Sequence, residues 1–369
     1  MEVTCYGSLE ALPESYRALF EAAEKASFFN GRLWYRALLE TAAAPDDRPC
    51  FYGVEEPGGG RALALLPAIQ SSREQLPLGA RLLSGCHTVY TMEFAPLLAA
   101  DLPDRGAVID ALIGALAAER PRWDAVSLRL LDRESEVFGQ ILDAFARHGM
   151  AREPYFQFGN WHEEIAGLSF ADYLASRGKT IRKTVARAVR NFDDRDNGRY
   201  EIFTGQGEGE PDLDAAVAAF KEVYGSSWKE AESRPEFIDR LIRDCAARGI
   251  LRLANLYLDD RPVATWLVIS DQGSGVLLKT AYDESLPSNL SVGGVLTFKV
   301  MQHLIDHDRV ERIDFGIGDE PYKSKWLSKR RERWGIMAYN RRSPKGALLG
   351  ALMKGRVLAR RLRPGRDTK

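Results

Sequence analysis

Cysteine is scarce in this chain. Its four residues, Cys5, Cys50, Cys86 and Cys245, lie far apart, with no C-x-x-C pair and no histidine at ligand spacing. Neither a disulfide framework nor a structural zinc site is therefore expected, and reduced thiols are. The five histidines form no ligand pattern. His303 and His307 stand four apart on one expected helix, but no acidic third ligand accompanies them, so no metal is expected. No apolar run approaches the roughly 18 residues a membrane-spanning helix needs. The N-terminus, Met1-Glu-Val-Thr-Cys5, lacks a basic segment followed by an apolar one. A soluble, cytoplasmic protein is the expectation. No G-x-S-x-G, Walker A or G-x-G-x-x-G sequence is present, so neither a nucleophile elbow nor a common nucleotide motif is indicated. An overall excess of one charge is missing too. Fifty-one Lys and Arg face 52 Asp and Glu, which gives whole-chain electrostatics no case for nucleic-acid binding.

What is present is a chain of 369 residues, 45% hydrophobic and 28% charged, enough to bury a sizeable core and long enough for two domains. The charge is unevenly placed. From Arg341 to Lys369 ten basic residues face one acid, Asp367, which leaves about −10 on the rest. Hydrophobic periodicity predicts strands near 3–7, 50–55, 61–70, 125–131 and 155–161, with helices over 13–25, 33–43, 104–119 and 134–148. The stretch between 71 and 98 is poorly patterned. The second half repeats the order. A strand at 199–204 is followed by helices at 212–224 and 235–248, strands at 250–258, 263–270 and 275–282, and a helix at 292–307. A strand at 312–315, a brief helix after Pro321 and a strand at 334–340 complete it. The second half thus reads β-α-α-β-β-β-α-β-α-β, and the first half follows the same order with two middle strands in place of three. The linker, 167–197, is expected to hold two short helices, the first capped by Ser169 with Asp172 three residues on.

Three segments carry candidate chemistry. In Thr280–Val295 a strand ends, a polar loop intervenes and a helix opens on Gly293-Gly294, where free N–H groups and the helix dipole favour a phosphate. An ordinary helix start with glycines packed on a neighbour would give the same pattern. The equivalent helix of the first half opens on Asp101-Leu-Pro-Asp104, whose carboxylates would repel a phosphate and suit capping. In Asp314–Trp326, Asp319, Glu320, Tyr322 and Lys323 crowd the end of a strand, where open sheets bind ligands. A carboxylate there could serve as base and a tyrosine as acid, or the loop is simply a solvated turn. Thr180–Phe192 reads as an amphipathic basic helix with Ile181, Val185, Val189 and Phe192 as its apolar stripe. Its basic face is either solvated or a polyanion contact. The tail over 346–363 mixes Leu348, Leu349, Leu352, Met353, Val357 and Leu358 with Lys354, Arg356, Arg360, Arg361 and Arg363. It would lie on an anionic membrane or a nucleic-acid backbone, or pack on its own domain.

These residues resemble the GNAT acyltransferases. The whole chain, over about 25–340, is similar to the Fem-like tandem-GNAT group that includes the CelD-like acetyltransferases of exopolysaccharide synthesis. The resemblance rests on Ser227-Trp-Lys229, the strand end at 281–284, Ser291-Val-Gly-Gly294, Ile313–Asp319 and Pro321-Tyr-Lys323 with Trp326. Tyr90–Leu98 and Thr180–Lys183 add to it. It implies an α/β fold with a mixed sheet and two tandem domains. The first, 1–165, would lack a cofactor; the second, 166–345, would be the acyltransferase; 346–369 would be a basic amphipathic tail. It implies acetyl-CoA or another acyl-CoA, with the pyrophosphate on Ser291, Val292, Gly293, Gly294, Val295 and Leu296 and the pantetheine arm along the strand that ends at Tyr282. By position Tyr322 would protonate the leaving thiolate. Asp319 is the first candidate for the base, with Asp283 and Glu320 behind it, and Trp228, Lys323 and Trp326 are candidates for contacting the acceptor. The phosphate loop departs from the commoner Q/R-x-x-G-x-G/A of single-domain GNATs. The acceptor implied is a sugar, an amine or a cell-envelope precursor. A Fem-type aminoacyl-tRNA-dependent transferase and a non-catalytic scaffold of a polysaccharide-synthesis complex are the alternatives, and the basic tail would place the protein at the inner membrane surface.

Overall fold

The computed structural model describes residues 1–205 and 211–361, and the side chains of 356–361 are not described. The chain divides into two compact units, one of residues 1–157 with 332–369 and the other of 158–331.

In the first unit, strand β1 (Glu2–Tyr6) leads to helices α1 (Arg17–Ala26) and α2 (Arg32–Ala37). Strands β2 (Arg48–Glu55), β3 (Ala62–Gln70), β4 (Leu82–Gly85) and the short β5 (Leu97–Leu98) follow. Helix α3 (Arg105–Ala118), β6 (Ala125–Asp132), α4 (Glu136–Arg147) and β7 (Met150–Glu164), whose residues 158–164 belong to the second unit, come next. Antiparallel pairs join β1 to β2, β2 to β3 and β3 to β4, and a parallel pair then joins β4 to β6. α3 begins on Asp104, which accepts from the Ala107 N–H at 2.9 Å. The carboxylate at this helix start is a cap, as its sequence suggested.

The second unit opens with α5 (Phe170–Ser176), where the Ser169 hydroxyl accepts from the Asp172 N–H at 3.2 Å in the expected cap. A turn of wider winding over Thr180–Val185 runs into α6 (Ala186–Asp193). Ile181, Val185, Val189 and Phe192 are buried together, as their spacing required. Then come β8 (Gly198–Phe203), α7 (Leu213–Ser226), α8 (Pro235–Ala247), β9 (Leu251–Leu258), β10 (Arg261–Asp271) and β11 (Ser274–Tyr282). α9 (Val292–Gln302), β12 (Arg312–Ile317), the single turn α10 (Lys323–Trp326) and β13 (Lys329–Asn340) follow. Antiparallel pairs link β8, β9, β10 and β11 in turn, β11 pairs parallel with β12, and β12 pairs antiparallel with the end of β7. Each unit therefore has an antiparallel run that ends in one parallel pair.

Two expectations are corrected. The poorly patterned stretch holds β4, the fourth strand of the first unit, only four residues long and preceded by a Pro77-Leu-Gly79 turn. The boundaries at 165 and 345 also shift. Residues from 332 on fall in the first unit, and β13 pairs with β6 from Arg333 opposite Asp132 to Tyr339 opposite Ala125. The final helix, α11 (Pro344–Arg361), starts two residues before the expected tail. Its first turns pack on the first unit. A Cβ at Gly346 would lie 2.4 Å from the Asp124 carbonyl, and one at Gly350 3.4 Å from Ala151 Cβ. Of the apolar residues expected in this tail, Val357 and Leu358 lie outside the described side chains.

Candidate active site

The site is built where β11 and β12 part. Their parallel ladder covers three pairs, Ser274–Arg312, Gly275–Ile313 and Val276–Asp314. Beyond it β11 continues to Tyr282 paired with β10, and β12 turns toward β7, with Ile317 opposite Asn160. Two irregularities drive the strands apart. On β11, Lys279 faces Leu267 and Leu277 faces Val268, so Leu278 is an extra residue, a bulge. Side chains opposite one another share a face, so the bulge sends Lys279 to the face of Leu267, while Leu277, Thr280 and Tyr282 share the face of Val268, Trp266 and Ala264. On β12, Gly316 takes φ +67° and Gly318 φ +106°, angles that favour glycine. The Asp314 carboxylate fixes this kink by accepting from the Gly316 N–H at 2.7 Å and the Asn160 amide at 2.6 Å, while Arg331 donates to its other oxygen at 2.7 Å.

Tyr282 ends β11 beside the start of α9. A Cβ on Gly293 would stand 3.1 Å from its ring. Ser291 adopts a left-handed conformation (φ 49°, ψ 40°), its hydroxyl makes no cap, and the first bond of the helix runs from the Val295 N–H to the Ser291 carbonyl at 2.8 Å. The N–H groups of Val292, Gly293 and Gly294 thus precede the helical ladder. This differs from α3 in the first unit, where Asp104 occupies the same place. The side chains of Val292, Val295 and Leu296 are buried in the core, so those positions offer backbone only. A Cβ at Gly294 would lie 2.6 Å from Ser291 Oγ.

Trp228, in the loop after α7, is 46% exposed, and its ring centre lies 4.6 Å from that of Tyr282. The Lys229 ammonium sits 5.1 Å from the Trp228 ring centre. On the other face of β11, Lys279 donates to Glu232 at 2.5 Å and to the Tyr224 hydroxyl at 3.1 Å. Burial lowers the Lys279 ammonium from its ordinary range, Glu232 opposes this, and Lys229 adds to it. Tyr224, Glu232 and Lys279 were not anticipated from the sequence.

The carboxylates differ in their commitments. Asp319 receives Arg330 on both oxygens, at 2.8 and 2.7 Å, and the Trp161 indole N–H at 3.1 Å. Arg330 above all holds this carboxyl below the ordinary carboxylate range, although burial works against it. Gly159 leaves the room it occupies, since a Cβ there would meet its oxygens. Asp283 is likewise tied up, accepting from Ser285 Oγ at 2.6 Å and from Arg261 at 2.8 Å, and Ser285 chiefly holds it low. Glu320 pairs with Lys323 at 2.9 Å; burial raises its pKa, but the Lys323 contact outweighs it and the net direction is down. Gly318 makes space for this carboxylate. Tyr322 lies against Phe315, 6.3 Å between ring centres. Burial first, then the Glu320 carboxylate and Tyr282, push its phenol above the ordinary tyrosine range. Glu320 and Tyr282 are thus both electrostatic neighbours of Tyr322.

Two expected contact residues point inward. Lys323 is 3% exposed and donates to the Ile317 carbonyl at 2.5 Å as well as to Glu320, which makes it a brace of the loop. Trp326 is also 3% exposed, in the core, and its carbonyl accepts from Tyr173 at 2.5 Å and Arg177 at 2.8 Å. Trp228 is the member of the three that faces solvent. His303 and His307 stack on each other at 5.1 Å, and no cluster suited to a metal ion occurs among the described residues.

Residues 179–324 match the model of the family described as an acetyltransferase (GNAT) domain. This segment is a GNAT domain. The matched span holds β11, α9, β12 and the loop through Tyr322, so the fork lies inside it. Solved structures share the fold over most of the chain. FemX aligns with a TM-score of 0.63 at 11% identity, covering 95% of this chain and 100% of that one. A tandem GNAT protein from the clavulanic acid biosynthesis pathway aligns at 0.50 and 11%, covering 91% and 98%. A conserved protein of unknown function from Bacteroides thetaiotaomicron VPI-5482 aligns at 0.51 and 11%, covering 83% and 89%. No curated protein sequence matches. The mixed α/β architecture of this chain is that of the Fem-like tandem-GNAT group, with the GNAT domain in its second half. No helix among the described residues is long and apolar enough to cross a membrane.

Proposed function

We propose that the protein is an acyl-CoA-dependent N- or O-acyltransferase acting by direct transfer on a sugar, an amine or a cell-envelope or exopolysaccharide precursor. The observation that carries this reading is the fork between β11 and β12 beside the uncapped start of α9. An acyl-CoA fits the residues present. The N–H groups of Val292, Gly293 and Gly294 would bind the pyrophosphate, where the dipole favours negative charge and a side chain at Gly294 would intrude. The β11 backbone up to Tyr282 would align the pantetheine arm and polarise the carbonyl. When bound, the acyl-CoA supplies an activated thioester.

The protein's own groups would move the protons. Glu320 is our choice for the base that receives the acceptor's proton at a carboxylate oxygen, because Asp319 and Asp283 are committed to Arg330 and to Ser285 with Arg261. Tyr322 holds its proton firmly at the phenol oxygen and would deliver it to the departing sulfur, with Tyr282 nearby. The exposed ring of Trp228 would contact the acceptor. A donor other than acyl-CoA is favoured by one feature, the exposed Lys179, Arg182, Lys183, Arg187 and Arg190 along the segment whose Val185 reaches Gly294. That face would suit aminoacyl-tRNA, whose binding would fall steeply with salt.

The test is release of free thiol from acetyl-CoA and longer acyl-CoAs in the presence of amino sugars and polyamines, run beside transfer from aminoacyl-tRNA. Acceptor-dependent thiol release supports the proposal. Transfer from charged tRNA alone would replace it, and no transfer from either donor would favour the scaffold.

A further inference from the structure

We propose that α11 and the turn at Pro77–Gly79 form a docking face for an anionic lipid surface. α11 is held to the first unit along one side, by Gly346 against the Asp124 and Asn340 carbonyls, by the buried Leu349 and by Gly350 against Tyr339. That side accounts for part of its apolar residues. Leu348 and Leu352 remain, 49% and 56% exposed, on the opposite side. With Lys345 they fall at i, i+3 and i+7, one stripe of the helix. Lys345 leads this stripe to a second apolar group. Its ammonium donates to the Gly79 carbonyl at 2.9 Å, and the preceding residue, Leu78, is 57% exposed on a left-handed backbone (φ 64°). Leucine rarely adopts such an angle, and the turn that imposes it leaves the side chain in solvent.

The charge around these leucines selects the occupant. Arg341, Arg342, Lys345 and Lys354 are exposed, and from 341 onward the sequence carries ten basic residues against one acid. A protein partner could cover the leucines, but so one-sided a charge matches the negative potential of an anionic leaflet. Apolar insertion and basic attraction together give the two signals that stable surface binding needs. α11 would lie in the interface plane, with Leu348, Leu352 and Leu78 entering it and the cations at headgroup level.

The experiment sediments the full chain with phosphatidylcholine vesicles that contain about 30% phosphatidylglycerol, and with phosphatidylcholine alone, at low ionic strength. We expect phosphatidylglycerol-dependent binding, weakened by about tenfold or more in Leu348→Asp/Leu352→Asp and by a smaller factor in Leu78→Ser. Melting curves of the variants should match the parent, because these side chains are exposed. Failure to sediment, equal sedimentation with both vesicles, or undiminished binding by both variants would overturn the proposal. So would light scattering that shows a dimer which the same substitutions dissociate, for the face would then join two copies of the chain. No acyl donor enters this test, so it stands or falls apart from the acyl-transfer reading.

Discussion

Replacing Asp308 by asparagine should cost the second unit stability in a manner that depends on pH. Asp308 follows the helical turn after α9, and Arg252 on β9 reaches it through Nε at 3.0 and 2.9 Å and through a second nitrogen at 2.9 Å. The two side chains are 7% and 9% exposed. Burial disfavours the carboxylate, but hydrogen bonds from His303 and Arg252 outweigh it and lower the pKa to about 2. The unfolded chain ionises near 3.9, so a difference of about two units corresponds to about 2.5 kcal/mol. Because the folded pKa is the lower one, this contribution is fully present above the unfolded value and is lost as pH falls through the folded one. The linked term should be about 2.5 kcal/mol at pH 7, about 1.3 kcal/mol at pH 3, and near zero below pH 1. At neutral pH the variant also leaves Arg252 buried beside a neutral amide, which raises the total cost toward roughly 3–5 kcal/mol. Urea unfolding of parent and variant at pH 7, 5, 4 and 3 gives the difference directly. A gap that stays constant from pH 7 to 3, or one under about 0.5 kcal/mol at pH 7, would refute the reasoning.

Further predictions concern the site. Gly294→Glu should abolish acyl-CoA binding while leaving the fold intact, because it sets bulk and charge among the N–H groups at the start of α9; unchanged affinity in a direct titration would remove the phosphate assignment. Tyr322→Phe should lower kcat by about 10²–10⁴ with little change in the KM for acyl-CoA, read from initial rates. Glu320→Gln should lose comparable turnover, whereas Asp319→Asn, whose parent carboxylate is spent on Arg330, should lose less than about tenfold; the reverse order in steady-state assays would make Asp319 the base.

How much of this was legible in the sequence depends on how local each signal was. The order of elements could be read because α7, α8 and the 180–193 segment carry their apolar stripes within a few turns. β4 was hidden by its length, four residues having little room for alternation. The assignment of 332–340 to the first unit depends on which strand β13 pairs with, and that register involves β6, some two hundred residues earlier. The open start of α9 was readable from Ser291 and two glycines, and the contrast with Asp104 from a single capping residue. The neighbours of Lys279 were not. Tyr224 and Glu232 come from α7 and the loop after it, and a one-residue bulge at Leu278 turns Lys279 toward them. Local composition also misled. Lys323 and Trp326 sit in a segment dense with chemistry, yet one braces the loop and the other fills the core. The ranking of the carboxylates likewise required Arg330, eleven residues from Asp319, to be seen in place.

The central claim is that the fork beside α9 receives an acyl-CoA. It is tested most directly by the thermal stability of the full chain with and without acetyl-CoA, longer acyl-CoAs and free CoA. A ligand at about 100 times its dissociation constant adds roughly 2.7 kcal/mol to the folded state, so the account predicts a clear upward shift in Tm, lost in Gly294→Glu. An unchanged Tm with every CoA species, or an equal shift in that variant, would contradict it.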